Sequence, residues 1–333
     1  MYSSTSFVMQ VANLFIEICG FNDEDCAGLQ DLKRLFRYHE VNRDATTVHR
    51  VVVCKYDQFE ISHEATLDWV LSCVGGDRPK HHRRLFFIRK KEVPHYSGAG
   101  DVRCYKDLLR QVEYLVPENA EWRIKHIAKE HVTYVFFDRC DEKFNLIPLL
   151  IHVVGSQYGC YLLFASSVAI EGKALLFTGN SGVGKTPLCM ELMKQGASYV
   201  GDDLVLVYTN EGQAMAGSLL FPMKYYSNGI YSHKKMIDVV AESAHPHLNA
   251  PLASIYFLQN AENAKSESCI KPMPSEIMFE KMLGLTNKVN TNADGRHFFN
   301  TISSICDSVP CYCLTYSNRN KLNTLFFANN DQR

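Results

Sequence analysis

The sequence predicts an α/β protein in which a P-loop domain follows a smaller α+β N-terminal domain. Strand-like and helix-like segments alternate beyond residue 146, which is typical of an α/β core. A glycine-rich motif follows one of these strands. The chain has 333 residues, more than the roughly 150 of an average domain. We therefore expect two domains, residues 1–140 and 141–333.

The first 140 residues show both helical and extended patterns. Residues 24–38 carry apolar side chains at helical spacing, with acids at the front and bases at the back, which predicts a helix. Residues 48–54 and 85–89 predict strands. Residues 105–116 predict a second amphipathic helix that ends before Pro117. These elements indicate an α+β domain and identify no reaction.

The second domain is predicted to contain strands and helices arranged around one glycine-rich loop. Its predicted elements are a helix at 146–154, strand segments within 161–170, a turn at Glu171–Gly172, a strand at 174–178, a helix at 186–195 ended by Gly196, and an interrupted strand within 198–208. A further strand is predicted at Cys311–Cys313. We therefore expect the functional site in this half.

Composition restricts the class of protein. The 35 basic and 36 acidic residues nearly cancel, so we do not expect nucleic acid as a partner. No run of 18 apolar residues could span a membrane, and the first residues lack the basic region of a signal peptide. The twelve cysteines are scattered without a CxxC pair, which indicates reduced and mostly buried thiols. We expect a cytoplasmic protein.

A basic stretch at 78–91 stands out from this neutral background. It carries seven Lys or Arg residues around an apolar Leu-Phe-Phe-Ile segment. Such a stretch can receive an acidic or phosphorylated ligand. It can equally be a solvated turn and edge strand whose charges prevent aggregation. Both interpretations stay open.

The motif that carries chemistry lies at residues 179–186, which read GNSGVGKT and fit GxxxxGK[ST] at every fixed position. Glycines allow successive backbone N–H groups to point at phosphate oxygens, and the following helix N-terminus favours negative charge. Lys185 would reach the β- and γ-phosphates, and the Thr186 hydroxyl would ligate Mg²⁺. The predicted nucleotide-binding residues are Gly179, Asn180, Ser181, Gly182, Val183, Gly184, Lys185 and Thr186. We expect ATP, or another nucleoside triphosphate, and magnesium as cofactors.

Two adjacent acids, Asp202 and Asp203, interrupt the strand that follows the loop and its helix. Phosphoryl transfer to a hydroxyl uses one carboxylate for the metal and can use another to accept the proton. Neighbouring side chains on an extended chain point to opposite faces, so the pair could divide these tasks. The alternative is a β-turn in which Asp serves a local hydrogen bond.

The stretch GNSGVGKTPLCMELMKQGASYVGDDLVLV, together with its flanks, resembles the HPr kinase/phosphorylase family. The resemblance is strongest across 174–207 and extends weakly over 146–320. It implies the fold shared with phosphoenolpyruvate carboxykinase, and is nearest to the HPr-kinase-like proteins associated with peptide modification. Members of the family form hexamers, so the resemblance also allows a homo-oligomer.

The resemblance carries over residue by residue, and Gly179, Gly182, Gly184, Lys185 and Thr186 match the family's phosphate loop. Asp202 matches the catalytic carboxylate that activates the acceptor hydroxyl, and Asp203 matches the metal-associated one, beside Thr186. Lys224, in FPMKYYS, matches a basic residue that neutralises the transferring phosphate.

The chain also departs from the family pattern. Relatives usually carry histidine in a Leu-His-Ala setting, where this sequence has Leu163-Phe164-Ala165. The Arg-Gly-rich segment of true HPr kinases has no counterpart. Both departures argue against HPr as the substrate and against a reverse phosphorylase activity.

Three hypotheses follow. The first is a kinase that phosphorylates a hydroxyl, on Ser or Thr of a peptide or protein or on a small molecule. The second is a catalytically degenerate nucleotide-binding module that controls partner binding. The third, a carboxykinase, would need further metal ligands and an arginine clamp that no motif supplies.

Overall fold

A computed structural model describes a little over half of the chain. The described residues are 6–12, 14–20, 30, 40–41, 49–54, 85–91, 102–107, 112–117, 122–137, 146–219, 223–226, 234–237, 249–260, 268–286, 295–316 and 326. Apart from residue 30, the predicted helix at 24–38 lies outside them, as do residues 78–84, the first half of the basic stretch. In the described ranges, none of the helices has the length and apolarity that a membrane crossing requires.

The chain divides into two units, Met1–Gln157 and Tyr158–Arg333. The division follows helix α1 (Leu146–Gln157), whereas the sequence placed it before that helix, at residue 140. The Gln157 side chain donates a hydrogen bond of 2.9 Å to the carbonyl of Ala128, which ties the end of α1 to the first unit.

The first unit is built on a nine-stranded sheet. Its strands are β1 (Ser6–Val11), β2 (Leu14–Gly20), β3 (Glu40–Val41), β4 (His49–Cys54), β5 (Leu85–Lys91), β6 (Val102–Asp107), β7 (Val112–Pro117), β8 (Trp122–Ile127) and β9 (Val132–Phe137). The spatial order is β3-β1-β2-β4-β9-β8-β7-β6-β5. Strands β2, β4 and β9 run parallel, and the other pairs are antiparallel. The strands predicted at 48–54 and 85–89 are confirmed.

The predicted helix at 105–116 is wrong, because its described parts, 105–107 and 112–116, belong to the antiparallel strands β6 and β7. Tyr105 pairs with Tyr114, and Cys104 pairs with Leu115. On β7, Val112, Tyr114 and Val116 recur at every second position, a pattern that suits a pleated surface. Pairing with neighbouring strands therefore outweighed the local helical spacing that supported the prediction.

Two histidines and a threonine form a polar cluster inside the first unit. His49 Nε2 and His126 Nδ1 each lie 2.9 Å from the hydroxyl oxygen of Thr133. The imidazole rings stack with centroids 5.6 Å apart, and all three residues are buried. Burial, reinforced by the positive charge that His126 and His131 would carry, lowers the pKa of His49 to about 3. The His49 ring is therefore neutral at ordinary pH.

The second unit contains a mixed sheet of order β10-β14-β15-β18-β12-β11-β13, extended by β20 beside β18 and by β19 beside β20. The strands are β10 (Tyr161–Leu163), β11 (Ala165–Ile170), β12 (Lys173–Thr178), β13 (Ser198–Gly201), β14 (Val205–Asn210), β15 (Gln213–Gly217), β16 (Met223–Tyr226), β17 (Lys234–Ile237), β18 (Asn249–Asn260), β19 (Cys269–Pro272) and β20 (Cys311–Tyr316). The helices are α2 (Lys185–Lys194), α3 (Ser275–Thr286) and α4 (Gly295–Ser308). Strand β18 runs parallel to both β12 and β20. The predicted α/β character is confirmed, with more antiparallel pairing than the sequence indicated.

Strand β12 is covered on both faces, as its continuous apolar run suggests. Ala174 and Leu176 belong to the core that contains α3 and α4, whereas Leu175 and Phe177 belong to the core that contains α2. The strand before the glycine-rich loop is thus fixed from both sides.

The structure describes eight cysteine side chains, all of them free thiols, and six of these are buried.

We expect Leu188→Ala to lower the free energy of unfolding of the second unit by about 2–5 kcal/mol. Leu188 is fully buried on α2, and its truncation would leave a cavity against the sheet. Urea denaturation would measure the loss. Lys194→Ala, on the same helix with a mostly exposed side chain, serves as the control and should stay within about 0.5 kcal/mol of the parent. Equal stability of the two variants would contradict the role of this core.

Candidate functional site

The glycine-rich loop connects β12 to α2, as the sequence predicted. Gly179, Gly182 and Gly184 all have positive φ angles, of 144°, 79° and 101°. Gly184 is the N-cap of α2, and its carbonyl accepts the amide of Leu188 at 3.0 Å. Pro187 lies in the first turn, where an amide lacks a helical partner. The backbone thus takes the curved form that phosphate binding by amides requires.

The start of the loop is tightly packed against β18. A Cβ atom added to Gly179 would lie 2.9 Å from the carbonyl oxygen of Leu258 and 3.3 Å from a methyl group of Val183. A backbone oxygen cannot move aside as a flexible side chain can. Only glycine therefore suits position 179, for reasons of both space and φ angle.

Lys185 begins α2 and turns back over the loop. Its ammonium donates hydrogen bonds to the carbonyls of Gly179, at 2.9 Å, and Asn180, at 3.1 Å. The nitrogen also lies 4.0 Å from the centroid of the Phe164 ring. The residue is only 6 % exposed. The charge is thus held close to the position that phosphates would occupy in this loop.

The two aspartates lie at the break between β13 and β14 that the sequence predicted, in a turn and not on an extended chain, and they occupy opposite environments. Asp202 is buried and Asp203 is exposed. Asp203 adopts a left-handed conformation, with φ of 62°, and the Leu204 amide closes the turn on the Asp202 carbonyl at 2.8 Å. Aspartate tolerates this conformation better than most residues. The turn directs one carboxylate inward and the other to solvent.

The hydroxyl of Thr186 lies 2.9 and 3.0 Å from the two carboxylate oxygens of Asp202. The sequence paired Thr186 with Asp203 as metal ligands, but the structure brings Thr186 to Asp202 instead. A hydroxyl and a carboxylate are hard oxygen donors, which magnesium binds together with substrate phosphates. In the described part of the chain, no group of three His, Cys, Asp or Glu residues could hold a metal by itself. Thr186 and Asp202 thus supply donors of the kind that magnesium binds.

Ser166, which the sequence analysis missed, also contacts Asp202. It lies fully buried on β11, and its hydroxyl donates to the Asp202 carboxylate at 2.5 Å. The two residues are far apart in sequence and meet because β11 pairs with β13, Ser167 opposite Gly201. The available signal in the sequence was a serine in a predicted strand, two residues beyond Phe164. Such a serine is too common to be recognised as a site residue unless the pairing of β11 with β13 is known.

These contacts set the protonation of Asp202. Burial, followed by the negative charge of Asp203, raises its pKa to about 6, while the hydrogen bonds from Ser166 and Thr186 hold the pKa below what burial alone would give. The carboxylate is therefore ionised at neutral pH and takes up a proton in mild acid. A base is most effective when its pKa lies close to the working pH, which suits proton transfer.

We expect Ser166→Ala to raise the pKa of Asp202 further, because it removes a hydrogen bond that favours the ionised form. The loss of unfolding free energy should reach about 1–3 kcal/mol at pH 8 and should be smaller at pH 4, where Asp202 is protonated in the folded state. Carboxyl NMR titration would measure the pKa directly.

Ser167→Ala is the matched control, since the Ser167 hydroxyl donates to the Leu175 carbonyl at 2.9 Å. It should destabilise the unit without moving the titration of Asp202. An unchanged pKa in Ser166→Ala would contradict the role assigned to Ser166.

Lys224 lies on β16, which pairs with β17 so that Lys224 stands opposite Met236. Strand β16 runs next to α2, the helix that begins with Lys185. The position of the Lys224 side chain is outside the described part of the structure. Its predicted role toward the transferring phosphate therefore stays a prediction.

Comparison with known proteins connects this site to one family. Residues 161–225, which contain the loop and both aspartates, match the family model "HPr Serine kinase C-terminal domain". The HPr kinase/phosphorylase of Limosilactobacillus reuteri is 41% identical over 51 residues, covering 15% of this chain and 16% of the relative. A putative HPr kinase/phosphorylase of Fusobacterium nucleatum is 31% identical over 165 residues, 45% of this chain and 26% of the relative. That of Mycoplasmopsis pulmonis is 25% identical over 177 residues, 50% and 45% of the two chains.

The alignments therefore span less than half the length of each of these relatives. Among solved structures, the Hpr(Ser) kinase/phosphatase from Coxiella burnetii aligns with 48% of this chain and 87% of its own, at 13% identity and a TM-score of 0.30. A score this low carries no argument about the fold. The likeness thus lies in the sequence around the loop.

Proposed function

We propose, from the match of residues 161–225 to the HPr serine kinase family model, that the second unit is a phosphotransferase. It would use ATP and Mg²⁺ to phosphorylate a serine or threonine hydroxyl of a protein or peptide. One observation carries the proposal: the glycine-rich loop, its lysine and a buried carboxylate meet through the Thr186–Asp202 contact. A loop that served only as a structural turn would not need these three groups together.

The loop and Lys185 would hold the triphosphate. Backbone amides of the loop and the N-terminus of α2 face the phosphate oxygens, and the Lys185 ammonium neutralises charge on the β- and γ-phosphates. When bound, Mg²⁺ would offset the negative charge that develops on the phosphates during transfer. Thr186 is placed to hold the ion, and we retain Asp203 as the metal-associated carboxylate that the resemblance implies, so that Asp202 is left to act as the base.

Asp202 would orient the acceptor hydroxyl and take its proton. The acceptor oxygen forms a bond to the γ-phosphorus while the bond between that phosphorus and the β–γ bridging oxygen breaks. The bridging electron pair leaves with ADP, and the hydroxyl proton passes to a carboxylate oxygen of Asp202. The raised pKa, about 6, makes this carboxylate a stronger base than an ordinary aspartate while leaving it ionised at neutral pH.

Serine is the acceptor that the family model supports, since its description names an HPr serine kinase. Phe164, where relatives usually carry histidine, favours a different acceptor protein and transfer in the forward direction only. A peptide acceptor is the narrower form of the proposal and rests on the resemblance to proteins associated with peptide modification. A small hydroxylated molecule is the remaining alternative.

Intact-mass spectrometry would test the proposal directly. The full chain is incubated with Mg·ATP and a library of peptides and proteins that contain serine and threonine. We expect one acceptor to gain the mass of a phosphoryl group, with matching release of ADP, and Lys185→Ala to abolish both. Acceptor-independent ADP release alone, or no turnover with any acceptor, would contradict kinase activity.

A second candidate function is a nucleotide-binding module without catalysis. The observation that favours it is the aromatic ring of Phe164 over Lys185, at the position where relatives usually carry histidine. Nucleotide binding to this unit would then regulate a partner. Tight Mg·ATP binding in calorimetry, together with no turnover in the mass assay, would support this function over the kinase.

A further inference from the structure

The ammonium of Lys185 is enclosed by two kinds of partner. Two loop carbonyls accept its hydrogen bonds, and the face of the Phe164 ring lies 4.0 Å away, measured from Nζ to the ring centroid. This distance is well within the range of about 6 Å over which a cation is attracted to an aromatic face. Because Lys185 is almost completely buried, little water competes for the charge, and the attraction is at the stronger end of its range.

The ring is fixed to the same strand pair as the loop. Phe164 lies between β10 and β11, and its carbonyl accepts the Thr178 hydroxyl at 3.3 Å. The next residue, Ala165, is paired with Thr178 across β11 and β12. Thr178 directly precedes Gly179, the first residue of the loop. The separation between the ring and the loop is therefore set by one strand register.

The same short segment also supports the second reacting group. Two residues beyond Phe164, the Ser166 hydroxyl contacts Asp202, while the Phe164 ring contacts Lys185. The entry to β11 thus touches both the cation and the carboxylate on which the proposed reaction depends. A segment with these two contacts can set the distance between the groups as well as support each one.

We infer that Phe164 is a positioning residue for Lys185: the face of its ring holds the ammonium at the loop and thereby increases the affinity of the site for a nucleoside triphosphate. This inference rests on the proposed function, since it requires the loop to bind nucleotide. A lysine stem has four rotatable carbons, and binding is weaker when such a chain must first be ordered. The ring reduces that cost by holding the ammonium before nucleotide arrives.

The competing explanation is that Phe164 only fills space. A leucine of similar size would then serve equally well, and the electron density of the ring would not matter. Fluorination separates the two explanations, because fluorine withdraws electrons from the ring face while changing the size of the ring very little. Attraction to a cation falls with each fluorine, whereas packing is nearly constant.

The experiment replaces Phe164 in the full chain with phenylalanine bearing one, two and three fluorine atoms. Isothermal titration calorimetry then measures the dissociation constants of Mg·ATP and Mg·ADP. We expect stepwise weakening of Mg·ATP binding, by about two- to thirty-fold across the series. A flat series would overturn the inference.

Phe257 provides the matched control for fluorination. Its ring lies 5.6 Å from the Lys281 ammonium and belongs to the core that contains α3 and α4. The same fluorinated residues at position 257 should leave the affinity for Mg·ATP unchanged. Equal weakening at both positions would mean that fluorination acts through the fold, and would overturn the role of Phe164.

Two natural substitutions give an independent readout. Phe164→Tyr keeps the ring face and should bind Mg·ATP like the parent, whereas Phe164→Leu should bind as weakly as the trifluorinated protein. Equal affinity in Phe164→Leu and the parent would overturn the inference while leaving the proposed function intact. Failure of the parent itself to bind Mg·ATP would overturn both.

Discussion

Asp202→Asn should abolish phosphoryl transfer while nucleotide binding survives, and should at the same time stabilise the nucleotide-free protein. The amide cannot accept the hydroxyl proton, so we expect transfer to fall by at least about 100-fold. Its oxygen can still accept hydrogen bonds from Ser166 and Thr186, which preserves the geometry around the loop. Mass spectrometry and calorimetry would measure the two properties separately.

The gain in stability follows from the raised pKa. The folded protein binds the Asp202 proton more tightly than the unfolded chain, because the pKa is about 6 in the folded protein, against 3.8 for an ordinary exposed aspartate. The protonated form therefore contributes stability below pH 4, and this contribution is lost as the pH rises through 6. The full difference corresponds to about 3 kcal/mol. At pH 8, Asp202→Asn should recover up to that amount.

Thermal or urea unfolding between pH 4 and pH 8 would test this expectation. The parent should lose stability as the pH rises across this window, relative to Asp202→Asn, because the variant has no titrating carboxyl at position 202. Asp203→Asn should flatten the pH profile only in part, because it removes the negative charge that adds to the effect of burial on the pKa of Asp202. Parallel pH profiles in the parent and Asp202→Asn would contradict the burial argument, and full transfer activity in Asp202→Asn would contradict its role as the base.

Gly179→Ala should remove nucleotide binding. A methyl group there would lie 2.9 Å from the Leu258 carbonyl, and the φ angle of 144° belongs to a region that side chains rarely adopt. The loop must shift to relieve both, which moves the carbonyl that accepts the Lys185 ammonium. We expect the dissociation constant for Mg·ATP to rise by about 100-fold or more, since misplaced positioning groups have effects of that order.

Gly212→Ala separates backbone strain from the effect on the loop. Gly212 has a φ angle of 81° in the turn between β14 and β15, and a Cβ there meets nothing within 4 Å. This variant should lose some stability and keep its affinity for nucleotide. If Gly179→Ala bound Mg·ATP as well as Gly212→Ala does, the close approach of β18 would have no functional meaning.

The loop and its surroundings could be predicted because their signals are local. The strand before Gly179, the helix after Gly184 and the break at Asp202-Asp203 depend on neighbouring residues in the sequence, and all three are confirmed. The cap at Gly196 is equally local, with a φ angle of 102° and hydrogen bonds that close the end of α2.

What could not be predicted depends on contacts between distant segments. Ser166 reaches Asp202 through the pairing of β11 with β13, and Phe164 reaches Lys185 through the pairing of β11 with β12. The segment at 105–116 has a helical spacing of apolar residues, but cross-strand partners decide its conformation. The sequence fits both conformations locally, and only the complete sheet distinguishes them.

The hydrogen bonds of the histidine cluster in the first unit constrain one another. A threonine hydroxyl carries one proton, so Thr133 can donate to at most one of the two imidazoles. At least one of His49 Nε2 and His126 Nδ1 must therefore carry a hydrogen, which the Thr133 oxygen accepts. The two tautomers are thus coupled through a single hydroxyl, since both ring nitrogens cannot be bare at once, and β4, β8 and β9 share this constraint.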